Sequence, residues 1–339
     1  MKPLVVKIDP LKIDPEKIKE AVAVIKRGGL VAFPTETVYG LGADALNTEA
    51  VAGIFIAKKR PLDDPLIVHI SQKEDLGRLA LEVPDKARRL IEKFWPGPLT
   101  VVLKKTSIVP DIVTTGLDTV AIRMPSNPIA LKLIELAGTP VAAPSANLFG
   151  KPSPTSAGHV VFDIGSQLDM IIDGGDTDIG IESTVVAFRA DEVTVLRPGG
   201  VTVEEIEEVI GKVDICPIDV GPDNCPGKYP QHYSPNAKVI LIEKEPTQVE
   251  EVKIKADDLK KKGYKAGIMC CRENVSFYDG YDTKILGPKG VAKVCASRLF
   301  RVFREFDIES YDVIIAEGIE EKGIGLAVMN RIRKASATV

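Results

Sequence analysis

Histidine and cysteine are scarce in this chain of 339 residues, which holds three of the first and five of the second. His69, His159 and His232 stand far apart, and Cys216, Cys225, Cys270, Cys271 and Cys295 show no paired ligand spacing. That pattern argues against a structural zinc site and for reduced thiols. Aromatic residues make up 5% and the net charge is −4, with no basic stripe of interleaved aromatics, so nothing global advertises nucleic acid as the main partner. No apolar run reaches the length of a membrane span, and Met1-Lys2-Pro3-Leu4 lacks a signal-peptide core; no membrane association and a cytoplasmic location are expected. A Walker A loop is missing too: the nearest string, Gly227-Lys228-Tyr229, lacks the Ser or Thr and the upstream spacing. No Ser-His-Asp or Cys-His arrangement offers a protein nucleophile.

What is present describes a globular protein of one large or two ordinary domains, 45% hydrophobic and 27% charged. Asp14 and Pro15 open a first helix, with Ile18, Val22 and Ile25 on one face and Gly28 at its end. A second helix is expected from Thr48 to about Lys59. Strands are expected at 30–33, 65–70, 99–103, 120–124, 141–143, 170–172, 184–188 and 193–197, with a short helix near 203–210. Many strands and few helices predict a mixed α/β sheet, not a regular doubly wound one. Residues 216–237 are rich in proline and read as a linker. Beyond it, strands at 238–243, 265–270 and 312–316 alternate with helices around 247–262, 290–306 and 325–334, the rhythm of a small parallel Rossmann-like domain. The expected domains are therefore 1–215, the linker 216–237, and 238–339.

The informative positions sit where strands end. After Leu30-Val31-Ala32-Phe33 comes Pro34-Thr35-Glu36-Thr37, then Gly40 and Gly42, glycines expected to let the backbone lie close to a ligand. Ala143-Pro144-Ser145-Ala146-Asn147 repeats the design, Glu182-Ser183-Thr184 begins one strand, and Arg197-Pro198-Gly199 ends another. Lys58-Lys59-Arg60-Pro61 reads equally well as cations at a helix C-terminus or as a polyphosphate clamp. His69, inside an apolar strand, reads on its own as a satisfied core residue. Arg123 interrupts an apolar strand and needs an anion, either a buried protein carboxylate or a substrate carboxylate. Together these strand ends describe a polar cleft for an anionic, hydrogen-bonding ligand.

These segments, with Pro65-Leu66-Ile67-Val68-His69, Trp95-Pro96-Gly97-Pro98-Leu99-Thr100, Arg123-x-Pro125 and Leu196-Arg197-Pro198-Gly199, resemble the YrdC-like threonylcarbamoyl-AMP synthase family in the same order. The linker string Pro226-Gly227-Lys228-Tyr229-Pro230-Gln231-His232-Tyr233-Ser234-Pro235 and the added C-terminal domain resemble its long, two-domain branch. The resemblance implies a nucleotidyltransferase. It would form threonylcarbamoyl-AMP and pyrophosphate from L-threonine, bicarbonate or CO2, and ATP with Mg2+, for transfer to a tRNA adenosine beside the anticodon by downstream machinery. It implies threonine contacts from Thr35, His69, Arg123 and Ser183. It implies nucleotide contacts from Lys58, Arg60, Thr119, Ser145, Asn147, Ser153, Arg197 and Tyr233, with Lys58 and Arg60 carrying the chemistry and Tyr233 folding back from a lid. Two departures from common family strings are Leu148-Phe149-Gly150 and Lys228-Tyr229-Pro230-Gln231. Direct tRNA binding stays open, and an RNA-binding module using the same cleft is the competing reading. A hydrogenase-maturation type of carbamoyl transferase would bring Cys-x-x-Cys motifs that this chain lacks.

Overall fold

A computed structural model describes residues 3–189, 192–217, 229 and 232–337. The chain forms two compact units: one of Met1–Phe149, Ser153–Asp178 and Glu182–Lys228, the other of Gly150–Pro152, Ile179–Ile181 and Tyr229–Val339. In chain order the first holds β1 (Leu4–Lys7), α1 (Pro15–Lys26), β2 (Val31–Phe33), β3 (Gly40–Asp44), α2 (Thr48–Lys58), β4 (Ile67–His69), α3 (Leu76–Leu79), α4 (Asp85–Phe94) and β5 (Leu99–Lys104). It continues through α5 (Asp111–Thr114), β6 (Thr119–Arg123), α6 (Pro128–Ala137), β7 (Val141–Ala142), α7 (Ala157–Ile164), β8 (Met170–Asp173), β9 (Thr184–Arg189), β10 (Glu192–Arg197), α8 (Val203–Ile210) and β11 (Asp214–Ile215).

Local chemistry sets these boundaries. The Asp14 carboxylate accepts from the Glu16 amide at 3.0 Å, and Pro15 occupies the first helical turn of α1. Asn47 caps α2 in the same way, and Asn127 caps α6 by accepting from the Ile129 and Ala130 amides. Thr202 and Glu205 form a reciprocal capping box on α8. The helices at 85–94, 128–137 and 157–164 were not expected from the sequence, so the unit is richer in helix than its strand pattern suggests. The glycine-rich start at Gly40 is also no simple turn, because β3 pairs antiparallel with β2.

The eleven strands run in the order β1-β8-β2-β3-β7-β4-β6-β5-β9-β10-β11, mixing parallel and antiparallel neighbours. One face is covered along its length by α2, α4, α7 and α8, whose Ile54, Leu90, Val160 and Ile206 join Val68, Val101, Ile122, Val186 and Val195 in the main core. The other face is covered over its first half by α1 and α6, which bury Phe33, Val141 and Ile172. From β4 onward that second face carries, among the described residues, a small separate cluster, Ile67, Val102, Ala121 and Val185, itself buried. The mixed α/β architecture matches the sequence expectation, and this second face is where the polar strand ends gather.

The second unit holds β12 (Lys238–Ile242), α9 (Gln248–Lys261), β13 (Ala266–Cys271), β14 (Thr283–Gly287), α10 (Ala292–Ile308), β15 (Val313–Glu317) and α11 (Gly325–Ser336). Its strands are all parallel, in the order β12-β15-β13-β14. Val252, Ala256 and Leu259 of α9 pack on one sheet face with Ile268, Cys270 and Ile315. β14 was not anticipated; a 3-10 segment at Arg272–Tyr278 leads into it where a helix would ordinarily intervene.

Candidate active site

Register brings the candidate residues together. His69 pairs with Arg123, Arg123 with Thr100, Thr100 with Val185, and Val185 with Arg197. Directly paired residues point to the same sheet face. His69, Arg123, Thr100, Val185 and Arg197 therefore form one row across β4, β6, β5, β9 and β10. The next row on that face, Ile67, Ala121, Val102 and Ala187, is apolar. Thr119 lies four residues before Arg123 on β6, beyond this apolar floor.

Arg123 is 4% exposed. Its Nη2 lies 2.8 Å from Oε1 of Glu36, also buried, and its Nε donates to the Gly97 carbonyl at 3.3 Å. The ion pair is close but off the hydrogen-bond line. Nη2 and both Glu36 oxygens lack a hydrogen-bond partner among the described residues. A buried protein carboxylate is thus the anion that Arg123 required, and the pair retains unused donor and acceptor capacity. Beside it, burial and the Arg123 charge push His69 down to about 3, so its ring is neutral.

The far end of the row is tied to Ser183. Its hydroxyl lies 2.8 Å from the Thr100 hydroxyl, and Arg197 Nη2 donates to the Ser183 carbonyl at 3.0 Å and hydroxyl at 3.2 Å. Close approach of the 197–199 turn needs Gly199: a Cβ there would lie 2.3 Å from the Ser183 carbonyl carbon. Ser153 hydrogen-bonds the Glu182 carboxylate.

The basic cluster is more deeply engaged than a surface clamp. Lys58 is 1% exposed, and its amine donates to the carbonyls of Ser145 at 2.5 Å and Asn147 at 2.6 Å. Burial first, and Arg60 second, hold this amine well below the ordinary lysine range. Arg60 donates through Nε to the Asp64 carbonyl, through Nη2 to Pro65, and pairs with the fully buried Asp64 carboxylate at 2.9 Å. Lys58 thereby fastens the 145–147 loop, which is also joined to β3 by the Ala146 amide on the Tyr39 carbonyl and the Gly40–Ser145 bridge.

Several of the expected residues have close protein partners. The Thr35 hydroxyl is engaged within its own turn, donating to the Val38 carbonyl at 2.6 Å and lying 2.8 Å from the Thr37 hydroxyl. Gly42 lies in tight packing: a Cβ there would meet the Phe33 ring at 2.7 Å and Val141 at 2.9 Å. Tyr233 lies in the second unit, buried, stacked on Phe300 at 5.6 Å and under the Arg331 guanidinium at 5.1 Å. Residues 218–228, 230 and 231, most of the expected lid, lie outside the described residues. Asp64, Thr100 and the pairing of Glu36 with Arg123 were not anticipated. For Asp64, its position four residues after Arg60 was the available signal.

Fold and site together define a two-unit α/β protein whose first unit lays buried cations and hydroxyls in one row across a mixed sheet. Residues 23–199 match the Sua5–YciO–YrdC family, described as telomere recombination. Residues 201–337 match the family described as threonylcarbamoyl-AMP synthase, C-terminal domain. The threonylcarbamoyl-AMP synthase of Pyrococcus abyssi is 50% identical over 333 residues, 96% of this chain and 95% of that protein. That of Bacillus subtilis is 43% identical over 335 residues, 97% and 95% of the two chains. A crystal structure of P. abyssi Sua5 complexed with L-threonine aligns with a TM-score of 0.92 at 47% identity, covering 98% of this chain and 97% of that one. The chain belongs to the Sua5–YciO–YrdC family, in its two-domain form.

Proposed function

We propose that the chain is an L-threonylcarbamoyl-AMP synthase, acting on L-threonine, bicarbonate or CO2, and ATP. The observation that carries this reading is the buried Glu36–Arg123 pair in the polar row, with donor and acceptor capacity left over. An α-amino acid brings both a carboxylate for Arg123 and an amine for the Glu36 side. Full-length relatives named as this synthase, one solved with L-threonine, support it.

In the chemistry, the threonine amine adds to CO2 and loses a proton, giving a carbamate. A carbamate oxygen then attacks the α-phosphorus of ATP, and the bond to the β,γ-phosphates breaks to release pyrophosphate. No protein nucleophile is required, so the protein acts by holding two anions in line and neutralising charge; positioning of this kind can lower a barrier by roughly 7–11 kcal/mol. We assign Arg123, neutral His69 and the Ser183 hydroxyl to threonine, with Thr35 shaping the adjoining turn. The Arg197 guanidinium, Arg60 and the 145–147 loop fastened by Lys58 are assigned to the nucleotide and its phosphates, with Thr119 and Ser153 at the periphery. Mg2+ would arrive bound to ATP and neutralise phosphate charge there; among the described residues no group of three His, Cys, Asp or Glu side chains is placed to hold a metal ion. The product would pass to tRNA-modifying machinery in the cytoplasm. No described helix is long and apolar enough to cross a membrane.

Pyrophosphate release from ATP is the test, with threonine and bicarbonate omitted in turn. Release is expected to need both. Release that ignores threonine, or that serine supports equally well, overturns the reading.

A further inference from the structure

The second unit contains a large crevice that the reaction above does not use. Its volume is about 830 Å3, within the range of small-molecule sites, and every residue lining it comes from the second unit. It lies at the carboxyl ends of the parallel strands, between the loops that follow β12 and β15. Those two strands are neighbours, yet the chain leaves them in opposite directions, to α9 on one sheet face and to α11, packed beside α10, on the other. Such a divergence opens a crevice at the strand ends, and open α/β sheets bind their ligands there.

The crevice is built, not an accident of loose loops. Gln248 at the start of α9 donates to the Ile242 carbonyl at 2.9 Å and the Gly318 carbonyl at 3.0 Å, bridging the diverging strand ends. Glu317, 2% exposed at the end of β15, accepts from the Cys271 amide at 2.9 Å, from Asn274 at 3.0 Å and from the Tyr278 hydroxyl, which fixes the opposite wall. Two opposed kinds of surface remain open on this scaffold. Phe277, 53% exposed, with Val249 and Ile319 offers an apolar strip. Lys289 and Lys322 carry no ion pair among the described residues, whereas Lys244 on the same rim lies 3.8 Å from Glu320. Each of these lysines precedes a glycine just ahead of a helix, in Lys289-Gly290 before α10 and Lys322-Gly323 before α11. Neither helix has an acidic residue in its first turn or a side chain capping its N-terminus, an arrangement that favours an anion; beside α10 the Glu273 carboxylate accepts from the Lys289 amide at 2.7 Å and takes part of that position.

We propose that this crevice is a second ligand site of the protein, and that it takes a nucleoside phosphate. The phosphate sits between Lys289 and Lys322, and the base and sugar lie along Phe277, Val249 and Ile319. This assignment goes beyond the synthase reading and does not depend on it.

Equilibrium dialysis of AMP against the full-length protein tests it. Wild type is expected to bind two equivalents, one in each unit, and the exposed double substitution Lys289→Glu/Lys322→Glu to bind one, with the lost equivalent weakened about 100-fold by reversal of two charges. Phe277→Ala should weaken the same equivalent about tenfold while leaving two sites detectable at high AMP. Melting temperature and circular dichroism confirm that the variants are folded. Arg60→Ala reports on the first unit alone, so loss of the synthase reading removes that equivalent and leaves the crevice equivalent in place. A double variant that still binds as many equivalents as wild type overturns the proposal. So does a wild type with no equivalent sensitive to Lys289 and Lys322, or inorganic phosphate or pyrophosphate displacing AMP from the crevice as well as unlabelled AMP does.

Discussion

At the residue scale, the site depends on a buried cation held in readiness. Arg123 is shielded from water, so its charge must be balanced inside the protein, and Glu36 does this at 2.8 Å. Replacing Glu36 by Gln removes the balancing charge, and breaking a buried pair from one side typically costs about 3–5 kcal/mol. Threonine brings its own carboxylate. Glu36 is also assigned the threonine amine, so a carboxylate without an amine, 3-hydroxybutyrate, isolates the effect. The rise in melting temperature on adding it should be larger in Glu36→Gln than in wild type, because only the variant has an unbalanced guanidinium to satisfy. A shift no larger than the wild-type one would remove the threonine carboxylate from Arg123. His69 gives a second residue-level expectation. Its folded-state pKa is depressed to about 3, against about 6.5 when unfolded, so between these values the unfolded chain binds a proton that the folded chain does not. Its contribution to stability is complete above about pH 6.5 and falls as the pH drops, by roughly 2 kcal/mol at pH 5. Urea midpoints measured from pH 7 to pH 5 should fall less steeply in His69→Gln than in wild type; parallel slopes would mean that His69 is not the group responsible.

At the element scale, the site is a product of strand register and of one turn that comes exceptionally close to its neighbour. A Cβ on residue 199 would lie 2.4 Å from both the Glu182 carbonyl oxygen and the Thr184 amide nitrogen. The clash is with backbone, which cannot rotate aside, so Gly199→Ala should displace Ser183 and Arg197 together. A loss of about 1–3 kcal/mol in denaturant stability is expected, as for overpacked positions generally. Threonine-dependent pyrophosphate release should fall at least tenfold, and a variant with full activity would show that the turn has room to move. The same register explains what the sequence disclosed and what it concealed. Polar residues at strand exits were legible because Pro34, Pro144 and Pro198 punctuate apolar runs within a few residues. That His69, Arg123 and Arg197 share one row was not legible, since β6 lies between β4 and β5 in the sheet, and β7 and β8 separate them from β9 and β10 in the chain. The packing around Gly42 was hidden for a related reason: of its neighbours Phe33 and Val141, one is a hundred residues away. The α6 helix was legible though not anticipated: Asn127-Pro128 is a clear start, and Ile129, Ala130, Leu133, Ile134 and Ala137 fall at helical spacing on its buried face.

At the scale of the whole molecule, each unit has a core of its own. The clusters built on Val68 and Ile122 and on Phe33 and Val141 draw only on the first unit, and the cluster built on Ile268 and Ile315 draws only on the second. A chain ending at residue 217 keeps every strand of the large sheet and the full row from His69 to Arg197. It should fold cooperatively and keep its requirement for threonine and bicarbonate. What it loses is the segment 218–237, which the sequence reads as a linker and which the family resemblance casts as a lid, together with the second unit. Rapid filtration of the two proteins during turnover separates these roles. The full chain is expected to retain labelled threonylcarbamoyl-AMP, whereas the shortened chain should release it into solution while still producing pyrophosphate. Equal retention by both would show that the first unit holds its product without help. A shortened chain that fails to melt cooperatively would show instead that the separate cores do not make separately stable units, and that the second unit is part of what keeps the sheet folded.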